Sequence, residues 1–310
     1  MKLRVISGTV YVAVLLAFYM LKIFVPTYGN LCFDVLIYGF SLIGTFEMLR
    51  AMKENIAFTE KAIVFIFAII CVPVCAVAEF LFGYGVHVTA VAFFMLAIVL
   101  LSLLVFKNEE TNIENIGAAF VCAVYPTLLL TLLVLANHIG EVPMFGDKII
   151  VGSADLTRMR FDSNLAMLFI FTISPISDAT AFFVGGALKK KFPKKLAPTL
   201  SPNKTVVGFI GGLFGGILGA TAIYFVYNAI LGAFPHMYMW LPIYMVIGLV
   251  GALATAFGDL VESCIKRKRG LKDMGKIMPG HGGVLDRIDG TLFTTVVVYA
   301  AFALILVLSV

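Results

Sequence analysis

The chain has 310 residues, of which 61% are hydrophobic and 13% charged, and its mean hydropathy is +1.03. Its 23 Lys and Arg residues against 18 Asp and Glu leave a formal charge of +5. A water-soluble fold cannot cover that much apolar surface, so composition excludes an aqueous globular domain and selects an all-α, polytopic integral membrane protein.

Nine apolar stretches are each long enough to cross about 30 Å of hydrocarbon as a helix. The first, Val5 to Phe24, follows a short basic stretch but has no small-residue cleavage site, so it is expected to remain as a membrane helix. Leu31 to Leu49, Ala62 to Phe82, Val86 to Phe106 and Ile116 to Ala136 follow. Asp34, Glu47 and Glu79 fall near the ends of these spans, where a carboxylate is expected to reach headgroup water. Cys32, Cys71, Cys75 and Cys122 lie inside spans and Cys264 outside them, with no Cys-x-x-Cys pair. They read as packing residues, and Cys71 and Cys75, without a nearby histidine, make a poor metal site. The segment from Asn137 to Asn164, with Glu141, Asp147, Asp155 and Asp162, reads as a solvated loop.

The remaining spans are Leu165 to Leu188, Val206 to Leu231, Met239 to Leu260 and Thr291 to Val310. In the seventh, "GGLFGGILGA" sets Gly211, Gly215 and Gly219 in one row and Gly212 and Gly216 in the next, a spacing that lets helices pack closely in lipid. No repeat, low-complexity tract or linker divides the chain. The expected organisation is one membrane domain, 1–310, with helices of no assigned role in 1–136 and the catalytic helices and loops in 165–310.

All but four of the 23 basic residues, the exceptions being Lys22, Lys148, Arg158 and Arg160, fall on the side that holds the N-terminus. Positive loops stay cytoplasmic during insertion, which predicts a cytoplasmic N-terminus and cytoplasmic loops after the sixth and eighth spans. Those two loops carry nearly all the polar chemistry. Asp178 lies inside the sixth span, three residues after Pro175, an expensive place for a carboxylate unless it faces a wet cavity, a cation or a hydrogen-bond partner on another helix. Lys189, Lys190, Lys191, Lys194 and Lys195 read as an anchor on anionic headgroups. In "SPNKT", Ser201, Lys204 and Thr205 bring two hydroxyls and an ammonium to the mouth of the seventh helix, either as an anion site or as a helix cap.

The second loop is more specific. Asp259 and Glu262 lie one turn apart, as do Asp286 and Asp289, and carboxylates of this number near a membrane suggest a hard divalent cation, with magnesium expected. Folding the intervening loop back would bring Asp259 and Asp286 together. "PGHGG", including Gly282 and Gly283, allows close backbone approach to a ligand, while Lys266, Arg267, Lys272 and Arg287 can neutralise phosphates. Together these residues describe phosphoryl or nucleotidyl transfer. His281 suits orientation or phosphate binding better than proton abstraction, because a phosphate nucleophile is already ionised near neutral pH. There is no Gly-x4-Gly-Lys-Ser/Thr loop and no dinucleotide fingerprint. Basic residues do not interleave with aromatics, so nucleic acid is not an expected partner.

The run Ser263-x-x-Lys266-Arg267-x4-Lys272-Asp273-x5-Pro279-Gly280-His281-Gly282-Gly283-x-x-Asp286-Arg287-x-Asp289 closely resembles the signature of phosphatidate cytidylyltransferases, also called CDP-diacylglycerol synthases. The upstream "GDLVES" and "LAP-x-LSPNKT" stretches resemble the same family, so the likeness covers most of the C-terminal half. The resemblance implies transfer of a cytidylyl group from CTP to phosphatidate in the cell membrane. It implies Asp259, Asp286 and Asp289 on Mg2+, with Lys204, Lys266, Arg267, Lys272 and Arg287 on phosphates. Asp273 and His281 would shape the nucleotide site, with Asp178 facing the cavity. A second, monovalent cation and assembly into a homo-oligomer stay open. Two departures stand out: Val207 precedes Gly208 where the family usually has a glutamate, and "DATAF" matches its motif only loosely. The alternatives are a CTP-dependent transferase acting on another lipid phosphate, of archaeol or polyprenyl type, and a transporter, which has no need of such a loop.

Overall fold

In a computed structural model, the described residues are 2–25, 27–107, 109–145, 161–231, 237–280 and 282–308. Among them, nine helical segments are long and apolar enough to cross a membrane. Their ends agree with the sequence pattern to within a few residues, except that the eighth runs on to Lys268 and the ninth begins at Leu285. The solvated loop expected between Asn137 and Asn164 lies mostly outside the described residues. The chain folds as two compact units, Met1–Ile149 with Arg269–Arg287 and Ile150–Lys268 with Ile288–Val310.

The first unit contains α1 (Lys2–Phe24), α2 (Gly29–Ala51), α3 (Phe58–Phe82), α4 (Gly85–Phe106), α5 (Ile113–Cys122) and α6 (Leu129–His138). The α5 and α6 segments are joined by a π-helical stretch, Ala123–Leu128, that contains Pro126. Proline has no N–H to donate, and the widened turn absorbs that gap without breaking the span. Phe33, Ile37 and Met48 of α2, Val64, Ala68 and Val72 of α3, Leu100 of α4 and Leu130 of α6 are almost wholly buried. The buried Cys71, Cys75 and Cys122 are free thiols, in keeping with packing roles.

Asp34 corrects the expectation that it reaches headgroup water, for it is 4% exposed. Its carboxylate contacts His138 Nε2 at 2.7 Å and accepts from the Asn137 amide at 2.8 Å. The Lys22 ammonium donates to Asn30 Oδ1 at 2.5 Å and to the Asn137 carbonyl at 3.2 Å. Polar neighbours supply inside the protein what water supplies outside, which is what makes a buried carboxylate tolerable. Glu79 also turns inward in part, accepting from Gly85 N at 2.8 Å at the start of α4.

The second unit contains α7 (Ser163–Leu188), a hairpin of β1 (Lys195–Ala197) and β2 (Ser201–Thr205), α8 (Val206–Leu231), α9 (Met237–Lys268) and most of α10 (Leu285–Leu308). The strands pair antiparallel, Lys195 opposite Thr205 and Ala197 opposite Ser201. The α8 glycines do what their spacing predicts. A Cβ on Gly211 would meet Val184 of α7 at 2.6 Å, and one on Gly216 would meet the Gly248 carbonyl and Ala252 of α9 at 2.5 Å. Away from that seam, Phe161, Phe169, Tyr224, Tyr244 and Phe302 stack edge to face, with Phe169 and Tyr244 centroids 4.9 Å apart and Tyr224 and Tyr244 5.1 Å apart. Hydroxyls close the α9 to α10 contact, Thr255 Oγ1 lying 2.6 Å from Thr294 Oγ1.

Candidate active site

The second unit brings two of the sequence stretches together. The β1–β2 hairpin turns the chain into α8, and the Thr205 hydroxyl accepts from Gly208 N at 3.1 Å, the geometry of a helix cap. One residue earlier, the Lys204 ammonium pairs with Asp259 Oδ2 on α9. Ser263, one turn further along α9, donates to Asp259 Oδ1 at 3.3 Å. Glu262 is 1% exposed and holds the Lys266 ammonium at 2.6 Å. Asp289 of α10 lies within electrostatic range of Asp259, makes a side-chain hydrogen bond with Glu262, and accepts from Gly290 N at 2.8 Å. Asp259, Glu262 and Asp289 thus form one acidic group, with Lys204 and Lys266 set against it. Arg267 donates to the Leu200 carbonyl at 3.3 Å, tying α9 to the hairpin turn that leads into Ser201.

Those oxygens are the hard donors that a divalent cation such as Mg2+ takes. Among the described residues, no three carboxylate, thiol or imidazole groups stand within ligating reach of one point. Lysine ammoniums hold the positions beside Asp259 and Glu262 instead. The donor chemistry fits a magnesium ion that would replace a lysine at the carboxylates.

The first unit holds the rest of the signature. After α9 the chain runs through Gly270, with φ +64°, to a tight turn in which Met278 and Gly282 exchange backbone hydrogen bonds of 2.9 and 3.1 Å. Gly280 and Gly282 have φ of +77° and +90°, left-handed values that favour glycine. His281, expected at the nucleotide, falls outside the described residues. Asp286 Oδ2 accepts from Met274 N at 2.8 Å and Gly283 N at 2.7 Å, so it fastens the loop onto the first turn of α10. Lys272 and Asp273 in the loop and Arg287 in the first turn of α10 are exposed.

Glu47 is the residue that sequence reasoning missed. Expected to reach headgroup water, it is 2% exposed and accepts from Val284 N at 3.1 Å and Leu285 N at 3.0 Å, the free amides at the start of α10. A Cβ added to Gly275 or Gly283 would run into the same carboxylate. Gly275 and the signature glycine Gly283 therefore leave room for an acid from α2, and helix-start amides favour a negative group there. The one available signal was an acid inside the apolar run "GTFEMLR". Asp178, expected to face a cavity, lies on an exposed part of α7.

Residues 2–305, nearly the whole chain, match the profile of the group described as the Cytidylyltransferase family. The chain belongs to the cytidylyltransferase family. It is 30% identical over 305 residues to a phosphatidate cytidylyltransferase of Bacillus subtilis (strain 168), an alignment covering 98% of each chain. A phosphatidate cytidylyltransferase of Staphylococcus aureus (strain COL) is 42% identical over 129 residues, 41% of this chain and 45% of the relative. One of Staphylococcus epidermidis (strain ATCC 12228 / FDA PCI 1200) is 40% identical over 127 residues, 41% and 45% of the two chains. The Bacillus alignment extends the likeness through the N-terminal helices, beyond the C-terminal half that carries the signature. Membership also sets aside the transporter alternative, since the family's function is enzymatic.

Proposed function

We propose that this multi-pass membrane protein transfers the cytidylyl group of CTP to phosphatidate, giving CDP-diacylglycerol and pyrophosphate. The observation that carries the reading is the Lys204–Asp259 pair, which joins "SPNKT" to "GDLVES" within one fold. The full-length likeness to a phosphatidate cytidylyltransferase supports the choice of substrates.

A phosphate oxygen of phosphatidate forms the new bond to the α-phosphorus of CTP, and the bond from that phosphorus to the bridging oxygen of the β-phosphate breaks. The electron pair leaves on pyrophosphate, and no covalent enzyme intermediate is needed. Two anionic substrates repel each other, so the chain must supply positive charge at the phosphates. Lys204, Lys266, Arg267, Lys272 and Arg287 are the residues to do so. Lys204, resting on Asp259 with 28% of its side chain exposed, is open to a phosphate bound beside it. Mg2+, for which Asp259 and Asp289 are the expected ligands in the second unit, would neutralise phosphate oxygens and the charge on the leaving group. Ser201 and Thr205 frame the mouth of α8, while Asp273, His281, Gly282 and Gly283 shape the nucleotide side.

The charge pattern supports placing both loops on the cytoplasmic side of the cell membrane, where CTP is available. Purified protein given CTP and phosphatidate across a magnesium series should release pyrophosphate and form CDP-diacylglycerol. No pyrophosphate at any magnesium concentration refutes the reading, and release with a different lipid phosphate alone refutes the choice of acceptor.

A further inference from the structure

The first unit carries a cavity of about 200 Å³ lined by Arg50, Lys53, Lys276 and Asp273, with Met274 and Gly275 among its other lining residues. Three cations against one carboxylate leave it two charges positive. Among the described residues, none of the three cations belongs to an ion pair. Arg50 acts through space on Glu47, but the Glu47 oxygens already accept from backbone amides. Unpaired like charges around one hollow repel each other, and an anion between them relieves that repulsion.

The walls are held in place before any ligand arrives. Met274 is 3% exposed and its N–H is held by Asp286 at 2.8 Å, while Gly275 packs against the Glu47 carboxylate. At the loop's other end the Arg269 guanidinium bonds to the Asn55 side chain and lies 3.1 Å from Met52 Sδ, fixing the chain next to Lys53. The volume falls below the roughly 300–1,000 Å³ of sites that enclose a drug-sized molecule. It suits a phosphoryl or pyrophosphoryl group, and guanidinium and ammonium donors are the groups that hold such oxygens.

We infer that the cavity formed by Arg50, Lys53 and Lys276 is a binding site for the phosphate groups of an anionic ligand, built partly from the N-terminal helices. Identifying those groups with the outer phosphates of CTP or with pyrophosphate rests on the proposed function. A phosphatidate headgroup offers the same chemistry from the lipid side.

The test is calorimetric titration of the full chain in neutral-lipid nanodiscs with pyrophosphate, repeated as an affinity measurement for nanodiscs doped with phosphatidate. The combined variant Arg50→Gln/Lys53→Gln is compared with Lys189→Gln/Lys190→Gln, which removes as much charge from an exposed stretch elsewhere. Pyrophosphate affinity should fall about tenfold or more in the first and stay within about twofold in the second, the loss expected from two charge-assisted contacts. A loss confined to the phosphatidate arm assigns the site to the lipid headgroup. Equal affinity of wild type and Arg50→Gln/Lys53→Gln in both arms overturns the inference. If that variant does not fold, Lys276→Gln, on the exposed loop, is read by the same criteria. Wild-type protein that binds pyrophosphate yet releases none from CTP refutes the proposed reaction and leaves this site standing. Turnover with affinity unchanged in both arms for the variants does the reverse.

Discussion

The Glu47 carboxylate, carried on α2, holds the first amides of α10, accepting from Val284 N at 3.1 Å and Leu285 N at 3.0 Å. Acids near helix ends are usually solvated, and nothing local distinguishes this one. Its partners lie at positions 284 and 285, a separation that no spacing rule spans. The signature residues themselves were legible because polar groups concentrated in one stretch of an apolar chain stand out. Glu47→Ala leaves two buried amides without an acceptor and should destabilise the protein by about 3 kcal/mol, with Glu47→Gln milder, as read by thermal unfolding in detergent. Gly283→Ala should destabilise wild type more than it destabilises Glu47→Ala, since the carboxylate is what the new methyl meets. Equal costs in the two backgrounds would remove the clamp as their common cause. The Lys204–Asp259 pair is a different case, because side chains 28% and 27% exposed gain at most about 1 kcal/mol from pairing. Lys204→Gln and Asp259→Asn should therefore leave thermal stability nearly unchanged while each lowers turnover on the order of 100-fold. The double variant should be little worse than either single one, because the two act as a unit. Near-normal turnover in a folded Asp259→Asn protein would sink its assigned role.

Helices were the most legible elements, since crossing hydrocarbon demands long apolar runs and leaves few alternatives. What escaped notice were departures from a plain helix. The π-helical stretch around Pro126 keeps the same hydropathy as its flanks, so the sequence shows an uninterrupted span. Lys266, Arg267 and Lys268 read as loop because of their charge, yet they continue α9 for two further turns beyond Leu260. Arg and Lys are good helix formers and suit a helix C-terminus, where the backbone carbonyls favour positive charge. The β1–β2 hairpin is too short for alternation to reveal. The glycines of α8 were read correctly, and their contacts make the reading quantitative. Gly216→Ala should destabilise the protein, because a methyl 2.5 Å from the Gly248 carbonyl and Ala252 forces α8 and α9 apart. Overpacking of this kind typically costs about 1–3 kcal/mol, more than the roughly 1 kcal/mol that alanine gains in helix propensity. Gly186→Ala in α7, where a Cβ meets nothing within 4 Å, keeps only the gain. Melting temperatures of the two variants should move in opposite directions from wild type, and a shared shift would show that close approach does not limit α8.

For the whole molecule, the property with the widest consequence is the sorting of charge between loops. Every Lys and Arg except Lys22, Lys148, Arg158 and Arg160 falls on the side assigned to the N-terminus, a bias that orients a chain during insertion. The same cations are the proposed phosphate ligands, so on the proposed reading charge for topology and charge for chemistry fall in the same loops. That coincidence fits a substrate such as CTP, which is synthesised in the cytoplasm and cannot cross the bilayer unaided. It also explains why Arg50 and Lys53 attracted no notice in the sequence: a basic residue beside a span is already accounted for by orientation. The loop after α9 gives the direct check. Ile277 is 54% exposed within the signature loop, so Ile277→Cys offers an accessible thiol in a background where Cys264 is replaced. In intact cells, a membrane-impermeant thiol reagent should leave that cysteine unmodified. Once the membrane is permeabilised, the same reagent should label it rapidly. A cysteine introduced at Val142, which is 53% exposed in the segment that follows α6, should show the opposite pattern. Rapid labelling of Ile277→Cys before permeabilisation would reverse the orientation and deprive the proposed active site of its nucleotide supply.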